Sequence, residues 1–189
     1  MDFCDAHKNK NNHFNVYMIK KEKKEINSER PPFFPMMLDL KGKEILIIGG
    51  GRVASRRAET LLKCGAKIKA ISPDFCDEFP DNENAEKIKK IFSPEDMDIN
   101  KNFIFVIAAT DSRKINKLVH STAKLKKIPV NIADNKNECD FFFPSLISCE
   151  NFSVSVCSAG VSSTLTRKLS DRLRKIWSEW VSEECEKIR

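Results

Sequence analysis

Along the chain, short apolar runs alternate with stretches in which apolar residues recur at helical spacing. Residues 43–48 close with four aliphatic residues and lead into three glycines, which is typical of a strand buried on both faces of a parallel sheet. Residues 52–64 have helical spacing, and Gly65 follows where glycine commonly ends a helix. Residues 67–71 fit a second strand. The pattern predicts a strand–helix–strand unit.

The same alternation continues toward the middle of the chain. Residues 88–92 predict a short strand, residues 103–109 a strong one, residues 111–126 a helix and residues 129–133 another strand. Strands that alternate with helices favour parallel pairing, with helices on both faces of the sheet. We therefore expect an α/β fold with a Rossmann-type, doubly wound parallel sheet.

After residue 134 the pattern changes. Residues 141–147 and 152–157 predict two strands, and a final helix is expected from residue 162 or 163 to near the end. That helix carries one apolar stripe, formed by Leu165, Leu169, Leu173, Ile176 and Trp180. A stripe of this kind needs a partner surface, which a second subunit would supply.

Residues 1–32 differ in composition from the rest, because Asn and Lys are frequent and aliphatic residues are scarce. Such a segment buries too little apolar surface to offset the ordering of the chain, so we expect a flexible basic extension. Its seven basic residues outnumber its five acidic ones by only two, so no nucleic-acid partner is predicted. The net charge of +6 over the whole chain favours anionic ligands, a polycarboxylate among them.

The seven cysteines are odd in number and form no Cys-x-x-Cys pair. This predicts neither a disulfide framework nor a metal site, and it is typical of reduced thiols in the cytoplasm. No apolar run approaches the roughly 18–20 residues that span a bilayer, and no apolar stretch follows the basic N-terminus as in a secretory signal. We expect a cytoplasmic protein without a membrane partner.

The segment Gly49 to Ala54 fits the pattern Gly-x-Gly-x-x-Ala between a predicted strand and a predicted helix. Gly49 permits the tight turn, Gly51 lets the backbone approach a pyrophosphate, and Ala54 allows close packing of helix on strand. The start of the helix offers free N–H groups to phosphates. Dinucleotide binding is the prediction, and a purely structural turn is the alternative.

The acidic residue that usually ends the second strand is missing. The strand ends in Ile71-Ser72-Pro73-Asp74. Asp74 comes two or three residues later than the acidic residue that holds the ribose 2′-hydroxyl in the usual pattern. Three arginines of the helix between the first two strands are candidates for a 2′-phosphate instead: Arg52, Arg56 and Arg57. The glycine loop alone does not decide between NAD and NADP as the cofactor.

Thr110 and Asp111 follow the predicted strand 103–109. They are candidates for contact with the nicotinamide ribose, and capping of the next helix is the alternative. The full predicted set of cofactor contacts is Gly49, Gly51, Arg52, Val53, Ala54, Ser72, Pro73, Asp74, Thr110 and Asp111.

Several motifs occur in order between about residues 33 and 175. After the glycine loop come Ala108-Ala109-Thr110-Asp111, Asn131-Ile132-Ala133-Asp134, Phe142-Phe143-Pro144-Ser145 and Ser158-Ala159-Gly160. This series resembles the precorrin-2 dehydrogenase family, which includes the N-terminal module of siroheme synthase. The resemblance implies oxidation of precorrin-2 to sirohydrochlorin in siroheme biosynthesis, with NAD as the cofactor, in a homodimer. Some members of the family also insert iron.

The resemblance also implies a catalytic residue. Residues 131–134 match the family's Asn-x-x-Asp segment, which makes Asp134 the candidate. A carboxylate at the carboxyl edge of a parallel sheet faces the cofactor crevice, and it can accept the proton that leaves the substrate, more effectively if it is buried. The alternative is an aspartate that only caps the next turn.

For the substrate, the candidates are Ser158, Asn131 and Arg167. Ser158 matches a family serine in the substrate region, and a turn serine is the alternative. The final helix also carries Lys168, Arg172 and Arg174, whose charge suits carboxylates but equally suits a solvated face. Two departures from the family pattern, Ser163 for proline and Ala159 for glycine, bear on this region.

These expectations give three parts: a flexible basic extension at 1–32, an NAD-binding Rossmann domain at 33–140, and a small α+β dimerisation and substrate region at 141–189. Two other functions stay open. One is a bifunctional dehydrogenase and ferrochelatase, which the short C-terminal part of the chain disfavours. The other is a non-enzymatic NAD-binding sensor or a tetrapyrrole carrier.

Overall fold

A parallel sheet forms the centre of the fold. The computed structural model describes residues 33–97, 102–149 and 152–188, so the extension predicted for residues 1–32 lies outside the described residues. The strands are β1 (Glu44–Ile48), β2 (Lys67–Ser72), β3 (Ala85–Lys89), β4 (Phe103–Ala108) and β5 (Val130–Ile132). They pair in parallel in the order β3-β2-β1-β4-β5.

Two helices cover opposite faces of this sheet. Helix α1 (Arg52–Lys63) follows β1, and helix α2 (Arg113–Leu125) follows β4. Alternate residues of β1 enter different core layers because successive side chains of a strand point to opposite faces. The first layer holds Ile45, Ile47, Ala54, Ala58 and Leu61, and the second holds Leu46, Ile48, Val119 and Ala123. The predicted doubly wound α/β sheet is confirmed.

The chain reverses order at the centre of the sheet, where β1 lies between β2 and β4. In open parallel sheets, ligands bind outside the carboxyl ends of the strands at such a point. The loops that follow β1, β2, β4 and β5 meet at this edge. The fold therefore places the glycine loop and Asp134 along the same edge of the sheet.

The last part of the chain is a hairpin covered by a long helix. Strands β6 (Ser145–Cys149) and β7 (Phe152–Val156) pair antiparallel, and helix α3 (Ser163–Ile188) contacts both. Ser170 and Val181 of α3 are buried, whereas four large apolar residues of the predicted stripe are exposed: Leu165, Leu169, Ile176 and Trp180. Within the described residues, no helix is long and apolar enough to cross a membrane.

Two strand predictions were wrong in position. The strand expected at 88–92 is β3 at Ala85–Lys89, because an edge strand is mostly exposed and lacks an apolar pattern, while Phe92 is buried after the strand ends. The strand expected at 141–147 begins only at Ser145. Phe141 and Phe143 instead pack against the core beneath α1, so their apolar character reflects burial rather than strand pairing.

Candidate functional site

Hydrogen bonds between neighbouring strand ends hold the carboxyl edge of the sheet together. The N–H of Gly49 donates to the carbonyl of Ile71 at 2.9 Å, and that of Ala109 donates to Ile48 at 2.8 Å. The N–H of Ala133 donates to Ala108 at 2.9 Å. The segments after β2, β1, β4 and β5 are therefore fixed side by side, in the order that a dinucleotide lying across the edge would meet them.

The three glycines of the loop have different reasons for being glycine. A Cβ on Gly49 would lie 2.2 Å from the carbonyl oxygen of Ala109, and its φ of +127° also favours glycine. A Cβ on Gly50 would lie 2.1 Å from the carbonyl oxygen of Asp74. A Cβ on Gly51 would meet nothing within 4 Å. Packing inside the protein thus requires Gly49 and Gly50, while Gly51 borders open space.

That open space lies at the start of α1. Gly51 is the N-cap of the helix and offers no side-chain cap, and the first turn contains no acidic residue. The partial positive charge and free N–H groups of the helix start are therefore available to a phosphate. Ala54 is fully buried against the sheet, while Arg52 and Val53 are exposed at the first turn. This arrangement is compatible with the binding of a dinucleotide pyrophosphate.

Ser72, a predicted cofactor contact, is the buried last residue of β2. Pro73 and Asp74 follow as exposed loop residues. Of the three arginines considered for a 2′-phosphate, Arg57 was a wrong choice, because it donates to Asn131 on β5 at 2.7 Å. Strand β5 lies on the opposite side of β1 from β2, so this guanidinium points away from the end of β2.

Thr110 is held in a turn after β4. Its hydroxyl donates to the side-chain oxygen of the fully buried Asn116 at 2.7 Å, and Asn116 donates back to its carbonyl at 3.0 Å. Capping of α2 by Thr110 and Asp111 was wrong, because Ser112 is the N-cap and accepts from the N–H of Ile115. Asp111 is exposed beside this turn.

Asp134 lies two residues beyond β5. Its side chain is 36% exposed and forms an ion pair with Arg113, the first residue of α2, with an Nη1–Oδ1 distance of 3.3 Å. The Asp134 side chain is therefore only partly enclosed. Its local environment is set by a neighbouring cation.

Asn131 lies in the interior, one strand position from this edge. Only 3% of its surface is exposed, its oxygen accepts from Arg57, and its nitrogen donates to the carbonyl of Phe141 at 2.7 Å. The Arg57 guanidinium also lies 5.5 Å from the ring centre of Phe143. Both polar ends of Asn131 are thus used within the protein, which contradicts direct substrate contact by its side chain in this structure.

This internal cluster has two perturbed groups. Burial lowers the pKa of Arg57 to about 10, so the side chain remains a cation at neutral pH. Burial raises the pKa of the Cys139 thiol, whose sulfur accepts from the N–H of Ile132 at 3.2 Å. Cys139 therefore stays neutral and fastens the turn that carries Asp134 to the end of β5.

The predicted substrate turn lies against the turn that carries Asp134. A Cβ on Gly160 would be 3.0 Å from Lys136, just beyond Asp134 in the chain. The hydroxyl of Ser158 accepts from the N–H of Ser162 at 3.1 Å and from the Thr166 hydroxyl at 2.9 Å. Ser158 thus fastens the start of α3, as the turn-serine alternative predicts, while Arg167 is exposed one turn further on.

Sequence reasoning missed several contacts at this edge. Gly50 was treated as a variable position, although the run of three glycines pointed to it. Arg113 and Glu138 were not considered, although an arginine at a helix start is unfavourable to the helix dipole and so is itself a signal. The pairing of Arg57 with Asn131 joins residues 74 positions apart, and no local pattern marks it.

Comparison with known proteins agrees with this geometry. Residues 36–145, more than half of the chain, match the profile of a family described as putative NAD(P)-binding. The chain belongs to this family. NAD(P) binding is the property by which the family is described, and the cradle at Gly51 fits it.

Siroheme synthases are among the relatives in sequence. The chain is 35% identical over 147 residues to the siroheme synthase of Photorhabdus laumondii subsp. laumondii, which covers 76% of this chain and 31% of that protein. It is 37% identical over 145 residues to the probable multifunctional siroheme biosynthesis protein HemA of Ruminiclostridium josui, covering 76% and 28%. The chain thus spans less than a third of the length of these curated relatives.

A precorrin-2 dehydrogenase is among the solved structures that this chain resembles. It is "SirC, precorrin-2 dehydrogenase", with a TM-score of 0.63 and 27% identity, covering 79% of this chain and 76% of that one. The likeness extends past residue 145, where the NAD(P)-binding profile ends. It therefore includes part of the region that follows the parallel sheet.

Proposed function

We propose that this chain oxidises precorrin-2 to sirohydrochlorin with NAD as the hydride acceptor, in siroheme biosynthesis. The observation that carries the proposal is the meeting of the glycine cradle and Asp134 at one sheet edge, in a chain similar to a precorrin-2 dehydrogenase over most of its length. Residues 33–140 bind the dinucleotide, and residues 141–189 contribute the substrate and dimer surfaces.

In this proposal two hydrogens leave the tetrapyrrole. Bound NAD supplies the acceptor for one of them, as a hydride, and becomes NADH. The carboxylate of Asp134 accepts the other as a proton and later releases it to water. The backbone at Gly51 and the start of α1 would hold the pyrophosphate of NAD, on the sheet edge that also carries Asp134.

The carboxylates of the substrate need cations, and α3 offers them. Arg167, Lys168 and Arg172 are exposed on this helix, and guanidinium groups match carboxylates in shape and charge. Arg174 is engaged by Asp171 at 2.8 Å and by the Ser145 hydroxyl at 3.0 Å. We propose that Arg167 binds a propionate, that Ser158 shapes the turn beside it, and that Asn131 supports the site from within.

We also propose that α3 forms a homodimer interface. Leu165, Leu169, Ile176 and Trp180 are each 44–54% exposed on one helix, and exposed apolar patches of this kind mark interaction surfaces. A groove of about 340 Å³ between β6 and α3 is lined by Ile147 and Trp177 among others.

A cytoplasmic location belongs to the same proposal. Cys64, Cys76, Cys139, Cys149 and Cys157 are free thiols, as expected in a reducing compartment. Fractionation of the native protein checks this, and recovery outside the cytoplasm would contradict it.

The deciding experiment follows the absorbance of purified chain with precorrin-2 and either NAD or NADP. We expect sirohydrochlorin to form with NADH, and Asp134→Asn to lower kcat by about 100-fold or more, the range for loss of a general base, with NAD affinity unchanged. Asp81→Asn is the matched control, since that carboxylate is 95% exposed beside β3.

Either of two results would overturn the proposal. One is NAD binding without oxidation of precorrin-2, which would favour a sensor or carrier. The other is full activity of Asp134→Asn, which would remove the proposed base. Addition of ferrous or cobaltous ion to the completed reaction then tests the bifunctional alternative.

A further inference from the structure

One guanidinium at the carboxyl edge is shared by two carboxylates. Arg113 is the first residue of α2, where a cation faces the partial positive charge of the helix start. It pairs with Asp134 at 3.3 Å and also with Glu138, which lies at the end of the 3₁₀ turn Lys136–Glu138. These pairings offset an otherwise unfavourable position for an arginine.

Glu138 is the more enclosed of the two carboxylates. Its side chain is 20% exposed, against 36% for Asp134. One of its oxygens accepts from Arg113, and the other is buried with no hydrogen-bond partner among the described residues. A buried carboxylate oxygen without a donor costs stability, so the contact with Arg113 is what holds this side chain.

The charges around the two carboxylates come from two elements. Arg113 holds the pKa of Glu138 below its ordinary value, chiefly by hydrogen bonding, His120 of α2 acts in the same direction, and Asp134 opposes them. Asp134 faces Arg113 from α2 and Glu138 from its own turn. Without the guanidinium, Asp134 and Glu138 would face each other as like charges.

We propose that Arg113, anchored by Glu138, is a positioning residue that orients the Asp134 carboxylate and presents a positive charge to it. The inference rests on the proposed function, in which Asp134 accepts the proton from the tetrapyrrole. Arg113 touches neither hydride donor nor acceptor in this assignment. Its effect passes through Asp134.

Two substitutions give opposite shifts of the pH–rate profile. Arg113→Met leaves Asp134 beside Glu138 alone, so we expect the acid limb of kcat to move up by about one pH unit. Glu138→Gln leaves Asp134 beside Arg113 alone, so the acid limb moves down, while kcat at neutral pH falls a few-fold because the guanidinium loses its anchor. The KM for NAD stays unchanged in both.

Conservative and matched variants separate charge from structure. Arg113→Lys restores the position of the acid limb, because it keeps the charge, but only part of kcat, because it lacks the planar fork. Lys114→Met removes an exposed cation one residue along α2 and leaves the profile as in the wild type. A wild-type profile in Arg113→Met, or shifts of the same sign in Arg113→Met and Glu138→Gln, would overturn the proposal.

A measurement without turnover distinguishes failure here from failure of the proposed function. The carboxyl carbon of Asp134 is followed by NMR over pH in the full chain without substrate. We expect its titration midpoint to rise in Arg113→Met and to stay in place in Lys114→Met. If the wild type does not oxidise precorrin-2 but the midpoint rises in Arg113→Met, the proposed function is wrong and the pairing of Arg113 with Asp134 is supported. If the wild type oxidises precorrin-2 but the midpoint does not change in Arg113→Met, the positioning role of Arg113 is wrong.

Discussion

Helices α1 and α3 differ in how far their apolar residues are buried. In α1, Ala54 and Ala58 are fully buried against the sheet, whereas α3 leaves Leu165 and Trp180 54% and 52% exposed. The first helix completes its packing within the chain, and the second presents an apolar surface to the outside. The difference separates a helix that is packed within the chain from a helix whose exposed apolar residues form the proposed dimer surface.

The cradle is most sharply tested at its glycines. We expect Gly50→Ala to lower the free energy of unfolding by about 3 kcal/mol, since its Cβ would overlap the Asp74 backbone and overpacking costs this much. Gly51→Ala is the matched control, because its Cβ meets open space: stability falls only by the roughly 1 kcal/mol that alanine costs at an N-cap, while NAD affinity falls. Denaturant unfolding and NAD titration measure both, and equal stability losses in the two variants would contradict the steric assignment.

The contrast between the two regions also explains what the sequence could predict. The glycine loop follows from local rules, because strand, turn and helix start are adjacent in the chain. The reason for Gly50 does not, since it depends on the carbonyl of Asp74 at the end of a neighbouring strand. Edge strand β3 was misplaced because its exposed residues carry no apolar pattern.

The contacts between side chains that are distant in the sequence were the least predictable feature of the structure. Arg57 was expected at a ribose phosphate and instead meets Asn131 and Phe143, because the parallel order brings β5 beneath the far side of α1. Arg113 and Glu138 look like ordinary surface charges in the sequence, and only the folded edge brings them to Asp134. The family resemblance nevertheless pointed to Asp134 and to the turn at Ser158, which the structure brings close together.

The open surface of α3 gives the second prediction. Trp180→Glu should raise the dimer dissociation constant about 30-fold, which corresponds to the roughly 2 kcal/mol of a large aromatic at an interface. Lys175→Glu changes charge on the same helix at an exposed polar position and should leave association nearly unchanged. Sedimentation equilibrium measures both constants, and a wild-type chain that stays monomeric throughout would refute the interface.

Arg57 tests the junction between the two regions, because it joins α1 to the segment that leads into the hairpin. Arg57→Met should destabilise the fold by about 1–2 kcal/mol, since the buried oxygen of Asn131 loses its donor. The neighbouring Arg56 is exposed, and Arg56→Met should change stability by less than about 0.5 kcal/mol. Equal thermal shifts in the two variants would mean that the contact with Asn131 contributes nothing.

The smallest expected effect concerns the turn that leads into α3. Ala159 has a φ of +49°, a left-handed conformation that costs a residue with a Cβ roughly 1–2 kcal/mol. Glycine removes this cost but adds about 0.4–1 kcal/mol of chain entropy to the unfolded state. Ala159→Gly should therefore stabilise the fold by about 0.5 kcal/mol. Ala133→Gly, at a position without positive φ, should destabilise it by a similar amount, so thermal unfolding shifts of the same sign would show that the backbone at Ala159 is not strained.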